Sequence, residues 1–159
     1  MPQPGRHSSS PSQERRDQPA AVRLGRRKDL YVLSGDDGLL LELGPLLGDR
    51  YRTRPIDSAD QIETTSANPW LLIIDATART DARAQAARIE QQHPLAPPLI
   101  ICADGRSGDW ASPLARGMVG AIIERGTLAS VLAEALATAE LRVNAAAATT
   151  ANVVAQDTG

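Results

Sequence analysis

The stretch "NPWLLIIDATARTD", Asn68 to Asp81, decides the fold. Trp70 to Ile74 is uninterruptedly apolar, and the run stops on a single acid, Asp75, before the chain turns small and polar. A half-solvated strand alternates; a strand covered on both faces, as in a parallel sheet, reads as a continuous Val/Ile/Leu run. Open parallel sheets carry their working groups just past the carboxyl ends of the strands, and Asp75 falls there.

Outward from this run, strands and helices alternate along the chain. "DLYVL" (29–33) is a short apolar strand, and "GLLLELGPLLGD" (38–49) sets Leu39, Leu43, Leu46 and Leu47 on one helical face. Pro45 bends that helix, because it lacks the backbone donor and crowds the carbonyl of Leu41. In "YRTRPID" (51–57) Pro55 marks an edge strand. Ser58 with Gln61 forms a capping box for a helix reaching Ala67. After the central strand, Ala82, Ala86 and Ile89 recur at helical spacing until "HPLAPP" stops them. "LIICA" (99–103) is a second buried strand, Ser112 and Pro113 start a brief helix to Gly117, and "GAIIE" (120–124) is the fifth strand. "TLASVLAEALATAELR" (127–142) carries Leu128, Val131, Leu132, Ala135 and Leu136 on a broad apolar stripe. Five strand-then-helix units specify an α/β fold: a doubly wound five-stranded parallel sheet, order 2-1-3-4-5, with helices on both faces.

With 159 residues the chain makes one domain, and with no Phe, two Trp and two Tyr its core is Leu, Ile, Val and Ala. The net charge of -2 conceals an asymmetry, since residues 1–28 hold seven Lys/Arg against two Asp/Glu while the remainder holds ten against seventeen. The expected organisation is a disordered basic tail over 1–28, the domain over 29–142, and a flexible C-terminal tail or linker over 143–159. The tail offers charge to nucleic acid or an anionic membrane, yet carries no aromatic, so a solvated tail is the expectation. One cysteine, Cys102, excludes an intrachain disulfide and reads as a small buried hydrophobe. His7 lies in the tail and His93 beside a helix-stopping proline; neither has catalytic partners. No run approaches eighteen apolar residues and no secretory core opens the chain, so a cytoplasmic location without a transmembrane segment is expected. No GxxxxGK[ST], GxGxxG, GxSxG or HExxH string occurs, which speaks against an enzyme and implies no cofactor.

In spacing, residues 29–142 resemble the receiver domain of response regulators. "WLLIIDAT" is similar to the family's third strand ending on its phosphoaccepting aspartate, here Asp75; "PPLIICA" is similar to the fourth strand and "GMVGAIIER" to the fifth with its approach. The resemblance implies further parts: an acid pair after strand one holding Mg2+, a hydroxyl after strand four and a lysine after strand five. The positions aligned with the acid pair are Ser34 and Gly35, with Asp36 and Asp37 two residues later. The hydroxyl position is Ala103, and the lysine position is Glu124, followed by Arg125 where the family commonly has Pro. A carboxylate at the lysine position repels a phosphoryl group, so the pocket over the central strand is expected to lack the positive charge that holds one.

The expected function is therefore that of a non-catalytic, receiver-like (pseudo-receiver) interaction module in bacterial signalling or regulatory assembly, acting without phosphorylation. Asp75 is then a vestigial strand end, and Asp36 and Asp37 serve the helix start in place of a metal. Trp110, in "GRSGDWASP", either covers local core or anchors a partner. The resemblance groups it with Arg116 and Arg125 on the face of the fourth helix, fifth strand and fifth helix, the surface for a protein partner or self-association. The alternative is a residual phosphorylation switch using Asp75 with Mg2+ on Asp36 or Asp37. A flavodoxin-like ligand binder or enzyme comes third.

Overall fold

The computed structural model describes residues 28–63 and 70–158, with the backbone alone for 150–158. The basic tail before Lys28 and residues 64–69 lie outside the described residues. The helix expected from Ser58 is a single 3-10 turn, Ala59–Gln61: the capping box is present, but the backbone is already extended at Ile62, so the turn is not continued. The elements are β1 (Lys28–Leu33), α1 (Asp37–Leu47), β2 (Tyr51–Ile56), β3 (Trp70–Asp75), α2 (Ala82–Gln92), β4 (Leu99–Cys102), α3 (Ala111–Ala115), β5 (Ala121–Glu124) and α4 (Leu128–Thr158). Short 3-10 turns occupy Ala59–Gln61, Ser107–Trp110 and Arg125–Thr127. The five strands form one parallel sheet in the order β2-β1-β3-β4-β5. The expected fourth and fifth helices are thus α3 and α4.

Alternate side chains of each inner strand enter different cores. Leu30, Val32, Leu71, Ile73, Leu99 and Ile101 pack under α1 and α4, against Leu39, Leu43, Leu128, Leu132 and Leu136. Tyr31, Leu33, Leu72, Ile74, Ile100 and Cys102 pack on the other face against Ala82, Ala86, Ile89 and Trp110. Because both faces are covered, β3 is buried along nearly its whole length, which is why its sequence does not alternate. Pro55 sits in the edge strand β2, which among the described residues pairs with β1 alone.

Three further expectations shift. Leu39, Leu43 and Leu47 are the buried row of α1, whereas Leu46 is 36% exposed, because the i, i+4 row alone spans the contact with the sheet. The brief helix starts earlier than Ser112: the turn Ser107–Trp110 runs directly into α3, leaving Ser112 inside the helix without a cap and Pro113 buried. The last helix does not stop at Arg142. It continues to Thr158, with Val143 packed on the core and Lys28 Nζ donating to Asn144 Oδ1 at 2.9 Å.

Candidate functional site

Asp75 ends the central strand and is fully buried. Ser34, one residue beyond β1, stands next to it because β1 and β3 pair in register from Asp29–Trp70 to Leu33–Ile74. Ser34 Oγ lies 2.9 Å from Asp75 Oδ2 and 2.9 Å from the Asp36 carbonyl; its single proton favours the carboxylate as the stronger acceptor. On the other side the backbone N–H of Thr77 donates to Asp75 Oδ1 at 3.0 Å, and the Thr77 hydroxyl donates to the same oxygen. Asp-x-Thr at a strand end is the signature of such a local turn, and the partnership was legible in "DAT".

Asp36 is occupied elsewhere. It is the N-cap of α1, its Oδ1 accepting from the Gly38 N–H at 2.5 Å. A Cβ at Gly38 would come within 2.9 Å of that oxygen, so glycine lets the cap close. Asp37 lies exposed in the first helical turn, where the helix dipole favours an acid. Among the described residues no group of three or more His, Cys, Asp or Glu side chains is arranged to hold a metal ion.

Glu124 and Asp104 form a reciprocal clasp between the β4–α3 loop and the start of α4. Gly105 N–H donates to Glu124 Oε1 at 3.2 Å, and Gly126 N–H donates to Asp104 Oδ1 at 2.7 Å. Gly105 has φ +80°, a region that favours glycine, which lets the loop present its amide. Glu124 thus holds a loop from the lysine position. Ala103, beside it, is exposed and offers no hydroxyl.

Arg125 corrects one expectation. Its side chain turns inward over the sheet's carboxyl edge: Nε and Nη2 approach Glu42 Oε2 at 3.0 and 2.9 Å, and Nη1 donates to Thr77 Oγ1 at 3.4 Å. The edge therefore does contain a cation, linked through Thr77 to Asp75 and committed to Glu42. Trp110 corrects another. It is only 6% exposed, packed with Met118 and Val119, and capped by the Arg83 guanidinium 5.2 Å from its ring centroid. It fills core beneath the loop, the first of the two readings the sequence leaves open. Arg116 remains exposed, its Nη2 3.5 Å from Met118 Sδ.

Elsewhere on the expected partner face, a groove of 590 Å³ runs between β5 and α4, lined by Ile122, Val131, Ala135 and Ala139 with Glu134 and Arg142 among the polar residues. Cys102 is buried and its thiol is pushed up by burial and by Glu124, which suits a hydrophobe and not a nucleophile. His93 caps the end of α2, its ring edge-on to Trp70 at 5.0 Å, and burial lowers its pKa.

The five-stranded parallel sheet in this order, with helices on both faces, is the flavodoxin-like fold that receiver domains share. Among solved structures, it is similar to the signal receiver domain of an HD domain-containing protein from Pseudomonas fluorescens (22% identity, 74% of this chain and 90% of that one, TM-score 0.59). An adenylate cyclase from Rhodopirellula baltica superposes with TM-score 0.69 at 12% identity, covering 80% and 97% of the two chains. A pilus assembly-related protein from Burkholderia pseudomallei does so with TM-score 0.56 at 25% identity, covering 72% and 90%. No family model and no curated protein matches the sequence. At these identities the likeness shows the fold.

Among the described residues no helix is long and apolar enough to cross a membrane.

Proposed function

We propose that the chain is a receiver-fold interaction module of a signalling or regulatory assembly, which works by contact and not by a phosphoryl mark. Residues 29–142 form the module, with a basic segment before it. A protein partner or a second copy binds the face of α3, β5 and α4, with Arg116 at its margin and the β5–α4 groove at its centre. The receiver domains among its structural neighbours support a signalling setting.

The observation that carries this reading is the state of Asp75. In-line phosphoryl transfer needs the attacking oxygen free to approach phosphorus, with a cation to neutralise the phosphoryl oxygens. Asp75 has no exposure, both its oxygens are engaged by Ser34 and Thr77, and the neighbouring acid Asp36 caps a helix. Arg125 supplies charge at the edge, but its guanidinium is held by Glu42.

The test is amide NMR of the chain with beryllofluoride and magnesium, a mimic of the phosphoryl group. The expected result is an unchanged spectrum around Asp75. Saturable shifts centred on Asp75 that vanish in Asp75→Asn overturn the reading in favour of the phosphorylation switch.

A further inference from the structure

The carboxyl edge holds a second depression, of 500 Å³, lined by Ala76, Arg79, Thr80, Arg83, Arg106 and Trp110, with Ala82 and Asp109. None of Ser34, Asp75, Thr77, Ala103 and Glu124 lines it, so it is separate from Asp75 and its partners. Three of the ten arginines beyond residue 28 meet here, in a part of the chain whose acids outnumber its bases. They come from three places: the β3–α2 loop, the first turn of α2 and the β4–α3 loop.

The three guanidinium groups differ in what holds them. Arg79 clasps Asp81 through two bonds of 2.8 and 2.9 Å with its side chain 15% exposed, and it holds the Asp81 carboxyl down at about 2. That pair is closed and serves as a fixed wall. Arg106 lies 3.0 Å from Asp109, but the two side chains are 68% and 52% exposed, and a solvated pair of that kind yields readily to a stronger anion. Arg83 has no carboxylate partner among the described residues; it lies over the Trp110 ring and donates to the Asp109 carbonyl. Stacking on a buried ring fixes the plane of the guanidinium, and most of its five N–H donors are left over.

The geometry points to a binding site for a phosphate-bearing small molecule in this depression, contacted by Arg83 and Arg106 with the Thr80 hydroxyl as a neutral donor. A phosphate monoester carries about -1.5 to -2 charge and three acceptor oxygens, enough for two guanidinium forks and a hydroxyl together, where a carboxylate has only two oxygens. The volume falls in the range of about 300–1,000 Å³ common to small-molecule pockets. The site is independent of the partner face and of the state of Asp75.

The test is amide NMR of the full chain titrated separately with pyrophosphate, adenosine monophosphate and acetate, at ionic strength held constant with sodium chloride. The two phosphate probes are expected to give saturable shifts at Thr80, Arg83, Arg106 and the Trp110 indole N–H, and acetate none. Tighter binding of adenosine monophosphate than of pyrophosphate identifies a nucleotide, and the reverse a free phosphate compound. Arg83→Gln and Arg106→Gln, each with a spectrum that shows the fold retained, are expected to weaken binding by about tenfold. Arg88→Gln, which removes an ion pair to Asp60 away from the depression, leaves it unchanged. No saturation by either phosphate probe, an equal response to acetate, or undiminished binding in Arg83→Gln overturns the proposal.

Discussion

Asp75 accepts hydrogen bonds on both carboxylate oxygens from its own chain, which gives a residue at an acceptor's position a structural task. Replacing it with alanine removes the acceptor of the Ser34 hydroxyl and of both Thr77 donors; Thr77 is exposed and Ser34 half-buried with the Asp36 carbonyl in reach, so part of the loss is made good. Asp75→Ala is therefore expected to lower unfolding free energy by about 1–2 kcal/mol, measured by urea denaturation. Trp110→Ala removes an indole from the core around Met118 and Val119, at a cost of about 3–5 kcal/mol in the same measurement. An anchor on an open surface would instead have left stability nearly unchanged. Titration adds a pH signature. Burial lowers the folded-state pKa of His93 from its ordinary 6.5, so just below that pH the unfolded chain binds more protons than the folded one. Stability is expected to fall as pH drops below 6.5, and the step to vanish in a His93→Gln variant. The Asp81 carboxyl, held at about 2 from its ordinary 3.8 by hydrogen bonds from Arg79, contributes a further loss between those values. That loss is small, because Asp81 is 43% exposed.

Among the elements, α1 carries the clearest conflict between local rule and fold, for Pro45 stands inside it and leaves the Leu41 carbonyl without its helical donor. Leu41 is 78% exposed, so water satisfies that carbonyl and the helix survives. Pro45→Ala restores the bond and is expected to stabilise the protein by about 1–3 kcal/mol, read from the urea midpoint. The five strands and the buried faces of α2 and α4 were legible because burial writes its period directly into the sequence. The extension of α4 was not. "NAAAATTANVV" has no sustained apolar face, so periodicity is silent, while its alanines favour helix by propensity alone once Val143 and Asn144 are anchored. The start of α3 was hidden for a related reason: Trp110 closes a 3-10 turn on the core, and that tertiary contact outweighs the capping preference of Ser112.

Across the whole molecule, the sheet was readable and its carboxyl edge only in part. The position of Asp75 follows from a strand's end, and the "DAT" turn from local chemistry; the bond between Arg125 and Glu42 joins residues 83 apart in sequence, which no spacing rule reaches. That bond fastens the start of α4 to α1 and lays a guanidinium over Thr77. With side-chain exposures of 27% and 41% the pair is partly solvated, so a double-mutant cycle of Arg125→Ala and Glu42→Ala is expected to give a coupling of only about 0.5 kcal/mol. Its larger effect is on the turn over Asp75. Removing the guanidinium takes a hydrogen bond from the Thr77 hydroxyl and loosens the turn over Asp75, so amide exchange at Thr77 should quicken in Arg125→Ala while exchange at Ile73, in the middle of β3, stays tied to global unfolding. If Thr77 exchanges no faster than in the parent chain, the Asp75 turn is closed by Ser34 and Thr77 alone, and Arg125 serves only to join the two helices.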